Sequence, residues 1–478
     1  MSIVLAPRPP SLSSNARSTL FLVRSQFSSF LLIKPPLRPE KIQSLVLHEL
    51  SPVDRHHFSL VNKKARELVL GYNERCFRIR KLLLRFFDTL SNVARFRILQ
   101  YELGLLVSGS TALQFFDDIV YPNSDLDTYV ELTKFRPYAD FLFEIGYAFV
   151  PVQGQVRDFE TAFSAALSAE RPAPVHHVGG LDWEGYHGNG MAEVFNFEKG
   201  RKKVQVITCV HTPIEVILHF HSTCVMNVIS HSHGYSLFPR YTFEDHVSLH
   251  TPTFATVKDK HKRAREKYAQ RGWTMVPAPS AFSRVRPNSE CRNSLRYIGD
   301  SSCWVIPLEP IFEPGDADAG AGVDAGEDVV SMAESRSNIP IHTHTNIPMT
   351  LETDPIRAHS WHNIVTYTQF VPKCKVMSSP FLDSTYCVAR EIHYDVQNHF
   401  LALAMGRTQA QNKVPGNRGN EPPLALALVD VVHKLCDAKR FEVKDKPVLG
   451  LAINRMDDGP RKLRLLKIQE ALRNVTIR

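Results

Sequence analysis

Four residues have types and spacing that could do chemistry together: Gly109, Ser110, Asp125 and Asp127. Gly109-Ser110 follows a short apolar run, 105–108, expected to be a strand, and precedes 111–116, expected to be a helix. A glycine at such a turn lets backbone approach a phosphate, and the helix start offers free N–H groups and a positive dipole end. The hydroxyls of Ser110 and Thr111 add polar contacts for a nucleotide. Asp125 and Asp127 are two apart, so on a strand both carboxylates leave one face and Leu126 points to the other. Paired carboxylates repel each other, and a divalent cation would remove the repulsion. Magnesium is held by one or two carboxylates plus substrate phosphates, so Asp125 and Asp127 are the candidate catalytic and metal-binding residues.

Plainer explanations exist for each half. Residues 111–114 also read as a capping box, which would account for small polar residues before a helix. Residues 122–125 also read as turn chemistry, which would account for one aspartate.

The elements that must position these residues form a mixed α/β pattern. A second strand is expected at 125–130 and a helix at 135–145. A hairpin pairs 192–197 with 203–209 across Lys199-Gly200. Thr212-Pro213 reads as an N-cap and first turn, opening a helix towards 229. Before this region, 42–98 is helical in periodicity, with Leu60, Val61, Ala65, Leu68 and Val69 on one stripe and Ile79, Leu82, Leu83, Phe86 and Phe87 on another. The expected organisation is a disordered basic tail at 1–41, a helical segment at 42–100, a mixed domain at 101–310, a low-complexity linker at 311–350 and a C-terminal region at 351–478 with weak signals. The expected class is α+β, a mixed sheet flanked by helices.

The 478 residues carry a net charge of +8, mildly basic for that length, which suits a polyanionic substrate without demanding one. The 8 cysteines are scattered with no Cys-x-x-Cys pair, so neither a zinc ribbon nor a disulfide framework is expected, and the setting expected is intracellular, cytoplasmic or nuclear. No apolar run reaches the ~18–20 residues of a membrane span, and no membrane partner is expected. The first 39 residues hold five cationic residues and no acid. Mitochondrial targeting is one reading of that composition, and a disordered tail is the preferred one.

Gly-Ser, a helix, then Asp-x-Asp on the next strand resembles the nucleotidyltransferase (DNA polymerase β-like) superfamily. Residues 105–116 and 124–130 are similar to a group of basidiomycete fungal proteins with this fold, and the resemblance runs over about 45–310. It implies a nucleoside triphosphate and Mg²⁺, with metal at Asp125 and Asp127 and phosphates at Gly109 and Ser110. Two departures stand out. The Gly-Ser to aspartate spacing is slightly long. Where the superfamily has a third acid on a later strand, this chain has Gln205. An amide cannot act as a base, and general-base help is worth ~10²–10⁴-fold. The expectation is a nucleotide-binding fold with a degenerate site, a pseudoenzyme.

A second resemblance lies upstream. Residues 50–54 and 58–69 resemble the later part of an F-box, though the usual opening Leu-Pro-x-Glu is not clear before them. This implies docking to the adaptor subunit of a cullin-type ubiquitin ligase; the plain alternative is an amphipathic helical pair packed on the neighbouring domain. The basic helix expected at 253–273 reads as a solvated face, with a nucleic-acid backbone as the weaker reading. The histidine pairs 219/221, 231/233, 176/177 and 342/344 lack metal-ligand spacing on one helix face or fall in expected loops.

Overall fold

A computed structural model describes residues 40–121, 124–169, 190–252, 258–277, 291, 294–311, 347–366, 369–379, 381–411 and 424–444. Residues 1–39 of the expected tail at 1–41, most of the expected linker, the turn residues 122–123, and the histidine pairs 176/177 and 342/344 lie outside these residues; the last two residues of that tail are helical.

Three helices come first: α1 (Glu40–Glu49), α2 (Pro52–Ser59) and α3 (Lys63–Cys76). Ser51 caps α2 by accepting from the Asp54 N–H at 3.1 Å, with Pro52 in the first turn. Asn62 caps α3 by accepting from the Ala65 N–H at 2.8 Å. That cap starts a new helix, so Leu60 and Val61 fall in the break between two helices. The expected stripe is corrected there: Ala65 and Val69 are buried, while Leu60 and Val61 are 66% and 54% exposed.

The next helices, α4 (Ile79–Phe87) and α5 (Leu90–Leu103), put Ile79, Leu83, Phe87 and Phe96 into the main core. Then come β1 (Leu106–Val107), α6 (Gly109–Asp117), β2 (Leu126–Glu131), α7 (Arg136–Glu144), β3 (Ala148–Val150), α8 (Phe159–Ser168), β4 (Met191–Lys199) and β5 (Lys202–Cys209). After them follow α9 (Pro213–Leu218), β6 (Asn227–Ile229), β7 (His233–Ser236), β8 (Val247–Leu249), α10 (Lys258–Gln270), β9 (Thr274–Val276), β10 (Ser294–Tyr297) and β11 (Trp304–Pro307).

The central sheet has eight strands in the order β11-β7-β6-β1-β2-β5-β4-β3. β2 and β5 run parallel and the other neighbours antiparallel, so the sheet is mixed and the expected α+β class holds. Period-2 alternation divides its faces. Leu126, Val130, Val204, Val206, Phe195 and Phe197 enter one core with α4, α5, α7 and α8. Tyr129, Ile207 and Cys209 enter a second core with α9. Thr212 does precede α9, but the helix stops at Leu218, because 223–225 turns the chain into β6.

The C-terminal region holds β12 (Ser360–Val365), β13 (Phe370–Lys373), β14 (Lys375–Met377), β15 (Tyr386–Val388), α11 (Arg390–Gln411) and α12 (Leu424–Lys444). β10 joins β12 and β13 in a second sheet, and β14 pairs with β15. Trp361, Phe370 and Cys387 plug this unit into the second core. The fully buried pair Arg296 Nε–Asp300 Oδ2, 2.6 Å apart, sits beside it. The first three helices are fastened too: the Arg55 guanidinium lies 5.3 Å from the Tyr72 ring centroid and 5.7 Å from that of Trp304 on β11. No helix among the described residues is long and apolar enough to cross a membrane.

Candidate functional site

Gly109 opens α6 with φ +67°, and Ser110 is the second residue of its first turn. The capping-box reading is corrected. Ser108, not Thr111, holds the N-cap position, and its hydroxyl donates to the Asn227 carbonyl at 2.6 Å. Thr111 is buried inside the first turn and donates its hydroxyl to the Asp125 carbonyl at 2.6 Å. Gln114 donates to the Ser110 carbonyl at 3.0 Å. The helix start is thereby stitched to both neighbouring strands.

Asp127 lies on β2 against this helix start. A Cβ at Gly109 would come within 2.5 Å of Asp127 Oδ2, so the close approach needs glycine. The Ser110 N–H donates to the Asp127 carboxylate. The Asp127 carboxyl is pushed up to about 7, mostly by burial and then by the charge of Asp125; Lys267, the Ser110 N–H and Lys203 pull the other way. Asp125, just before β2, is 3.6 Å from Lys203 Nζ.

Gln205 is the register partner of Asp127 across the parallel pair. Its side-chain amide donates to the Asn196 Oδ1 at 2.8 Å, and Asn196 is its partner on β4. Of the acids on β4, Glu193 pairs with Thr208 and Glu198 with Lys203. Glu198 is thus two strand spacings from Asp125, ~10 Å, with Lys203 between them.

Asp125 and Asp127 are the two acids that would hold a single Mg²⁺, and the charge of Asp125 acts on the Asp127 carboxyl. Among the described residues no group of three or more His, Cys, Asp or Glu is placed to hold a metal ion. What such an ion would supply is neutralisation of two neighbouring carboxylates, and Lys203 already supplies part of it. The histidines 231 and 233 do not lie in an open loop. Both are buried, and the His233 ring is turned towards the Ser232 hydroxyl at 2.9 Å.

Sequence reasoning missed the cations. Lys203 is a neighbour because β5 runs parallel to β2, a pairing between residues nearly eighty apart. Lys267 comes from α10; Tyr268 on that helix and Trp273 just after it are buried in the main core, so the helix is held to the body and the Lys267 charge acts on Asp127. Arg85 also joins, donating to Gln114 Oε1 at 3.2 Å and Ser124 Oγ at 2.9 Å. The +8 charge was a signal for such cations, but not for their positions.

A second candidate site is a surface. The break between α2 and α3 presents Leu60 and Val61, and α3 presents Leu70, which is 50% exposed. These are three of the large apolar side chains exposed among the described residues, and all three lie on the first helical segment.

Comparison with known protein families matches the F-box domain to residues 39–76, the span of α1 to α3. No curated protein and no solved structure matches the chain. The resemblance to nucleotidyltransferases, and to basidiomycete proteins among them, gains nothing from these comparisons and rests on the residues above. The F-box ends at Cys76, before the helices α4 and α5 that build the main core, and the chain therefore carries an F-box domain in front of an α+β body.

Proposed function

We propose that the protein is a target-recruiting adaptor of a cullin-type ubiquitin ligase, docked through 39–76 and presenting its α+β body to the target. The observation that carries this reading is the coincidence of the F-box match with the exposed Leu60, Val61 and Leu70. Apolar side chains held on capped helices lose little entropy on docking. The role belongs to the cytoplasm or nucleus. The test is capture of the ligase's adaptor subunit by the full chain. A stoichiometric complex is expected, and no association at micromolar concentrations overturns the reading.

A second reading concerns the body, and the fit of Gly109 against Asp127 favours it. The pocket at Gly109, Ser110 and Thr111, with Asp125 and Asp127, binds a nucleoside triphosphate with Mg²⁺ and turns it over poorly or not at all. Gln205 has no proton to take up and no charge to hold a second metal. Lys203 and Lys267 supply positive charge for phosphates. Calorimetry with ATP and with GTP, with and without Mg²⁺, tests it. If D125A with D127A leaves nucleotide affinity unchanged, the pocket is not a nucleotide site.

A further inference from the structure

Cysteines that are scattered in sequence meet in one place. Cys374 Sγ and Cys387 Sγ are 3.3 Å apart. Cys387 lies on β15 opposite Val376, and Cys374 immediately precedes β14. We propose that Cys374 and Cys387 form a reversible disulfide, closed by peroxide and opened by a thiol reductant.

The geometry asks for little movement. A disulfide needs ~2.05 Å between sulfurs, so the pair closes by about 1.3 Å, within reach of a side-chain rotation on a hairpin that already fixes both backbones. The two thiols differ in access. Cys374 is partly exposed and Cys387 is buried. Burial pushes the Cys387 thiol well up, whereas Cys374 can be reached from solvent. Cys374 is thus the thiol that meets the oxidant, and Cys387 resolves it. In the first step the Cys374 sulfur attacks hydrogen peroxide; the O–O bond breaks, giving a sulfenic acid and one water. In the second, the Cys387 sulfur attacks the Cys374 sulfur; the S–O bond breaks and a second water leaves. Two thiols give up two electrons and two protons, and one peroxide becomes two waters.

Closure ties residues 374–387 into a ring that carries the fastening of the C-terminal unit to the central sheet. Thr385 N–H donates to Glu131 Oε1 at 3.0 Å, and Lys134 Nζ donates to the Ser384 hydroxyl at 2.8 Å and to the Asp383 carbonyl. All three lie inside the ring. Oxidation would tie off the base of this strap, which these bonds hold to Glu131 and Lys134.

The experiment uses the reduced full-length chain, treated with hydrogen peroxide, blocked with an alkylating agent and digested with trypsin without reduction. The dipeptide Cys374-Lys375 is expected joined to the peptide 376–390, with two of the eight thiols lost and both recovered on adding dithiothreitol. C374S and C387S should each abolish the joined species. C374S changes a partly exposed side chain, so it decides the matter even if C387S misfolds. Cys374 recovered as a sulfinic acid or alkylated while Cys387 stays a free thiol overturns the proposal, and so does Cys374 joined to a different cysteine.

Discussion

The F-box and the surroundings of Asp127 break the ordinary rules of burial in opposite directions. The first leaves Leu60, Val61 and Leu70 in water; the second draws a carboxylate into the protein beside another carboxylate. Each departure costs free energy in the isolated chain, and each is relieved by a different kind of partner. An apolar surface is relieved by another protein, and a crowded pair of carboxylates by a proton, a lysine or a metal ion. The difference teaches what to look for: association at one end of the molecule, and pH or cation dependence at the other.

The largest effect should break the first half of the comparison. L60D combined with L70D should weaken adaptor binding by ~30–1000-fold, the range expected for losing about 2–4 kcal/mol of contact at an interface centre. The melting temperature should stay within a few degrees, because both side chains are exposed. An equal loss of stability would mean that these residues belong to the fold and not to a docking surface.

Next in size is the pH dependence of the pocket. Asp127 holds its proton to about 7 in the folded chain, against ~3.9 unfolded. The folded state therefore binds more protons between these values, and stability falls as pH rises from about 4 to 7, then levels. The partly open setting of Asp127 limits the loss to about 2–4 kcal/mol. Denaturant unfolding across that window should show the slope in the natural chain and not in D127N, and D127N should be the more stable at pH 8. Mg²⁺ should flatten the same slope if it competes with the proton.

Backbone substitution sharpens the picture of the pocket. G109A and G154A both place a side chain at positive φ, which costs of order 1–3 kcal/mol. Only at Gly109 does the new Cβ meet a carboxylate oxygen, while at Gly154 nothing lies within 4 Å. G109A should lose more stability than G154A, and D127A should narrow the gap. The smallest effect belongs to Lys203. Its ion pair with Asp125 is partly exposed on both sides, so K203A should cost under about 1 kcal/mol, and the effect should shrink in salt.

Much of the pocket was legible in the chain itself. The Gly109 turn, the helix after it, the Asp125–Asp127 strand and the Lys199-Gly200 hairpin follow from local chemistry and lie within a few residues of expectation. Gln205 could be singled out because apolar Val204 and Val206 flank it, and those neighbours fix which face it takes. What was not legible depends on distant partners. The strand at 105–108 was expected but not its partners, β2 and β6; β6, with three residues, is too short to show alternation, and the rest of the chain determines where both pair. The exposed Leu60 and Val61 were misread for a related reason. Their spacing suits a helical stripe, but the Asn62 cap interrupts it. The meeting of Cys374 with Cys387 needed the β14–β15 hairpin, which has no strong turn sequence to announce it.

The stacking of Arg55 near Trp304 has a consequence for synthesis. Trp304 leaves the ribosome about 250 residues after Arg55. At roughly 5–20 residues per second the F-box waits some 12–50 s for the ring that completes its seat. Through that interval its three helices are available with a looser mounting than in the finished molecule. On the proposed docking, an adaptor subunit would meet these helices before the α+β body exists, so that association and the folding of the body would overlap in time.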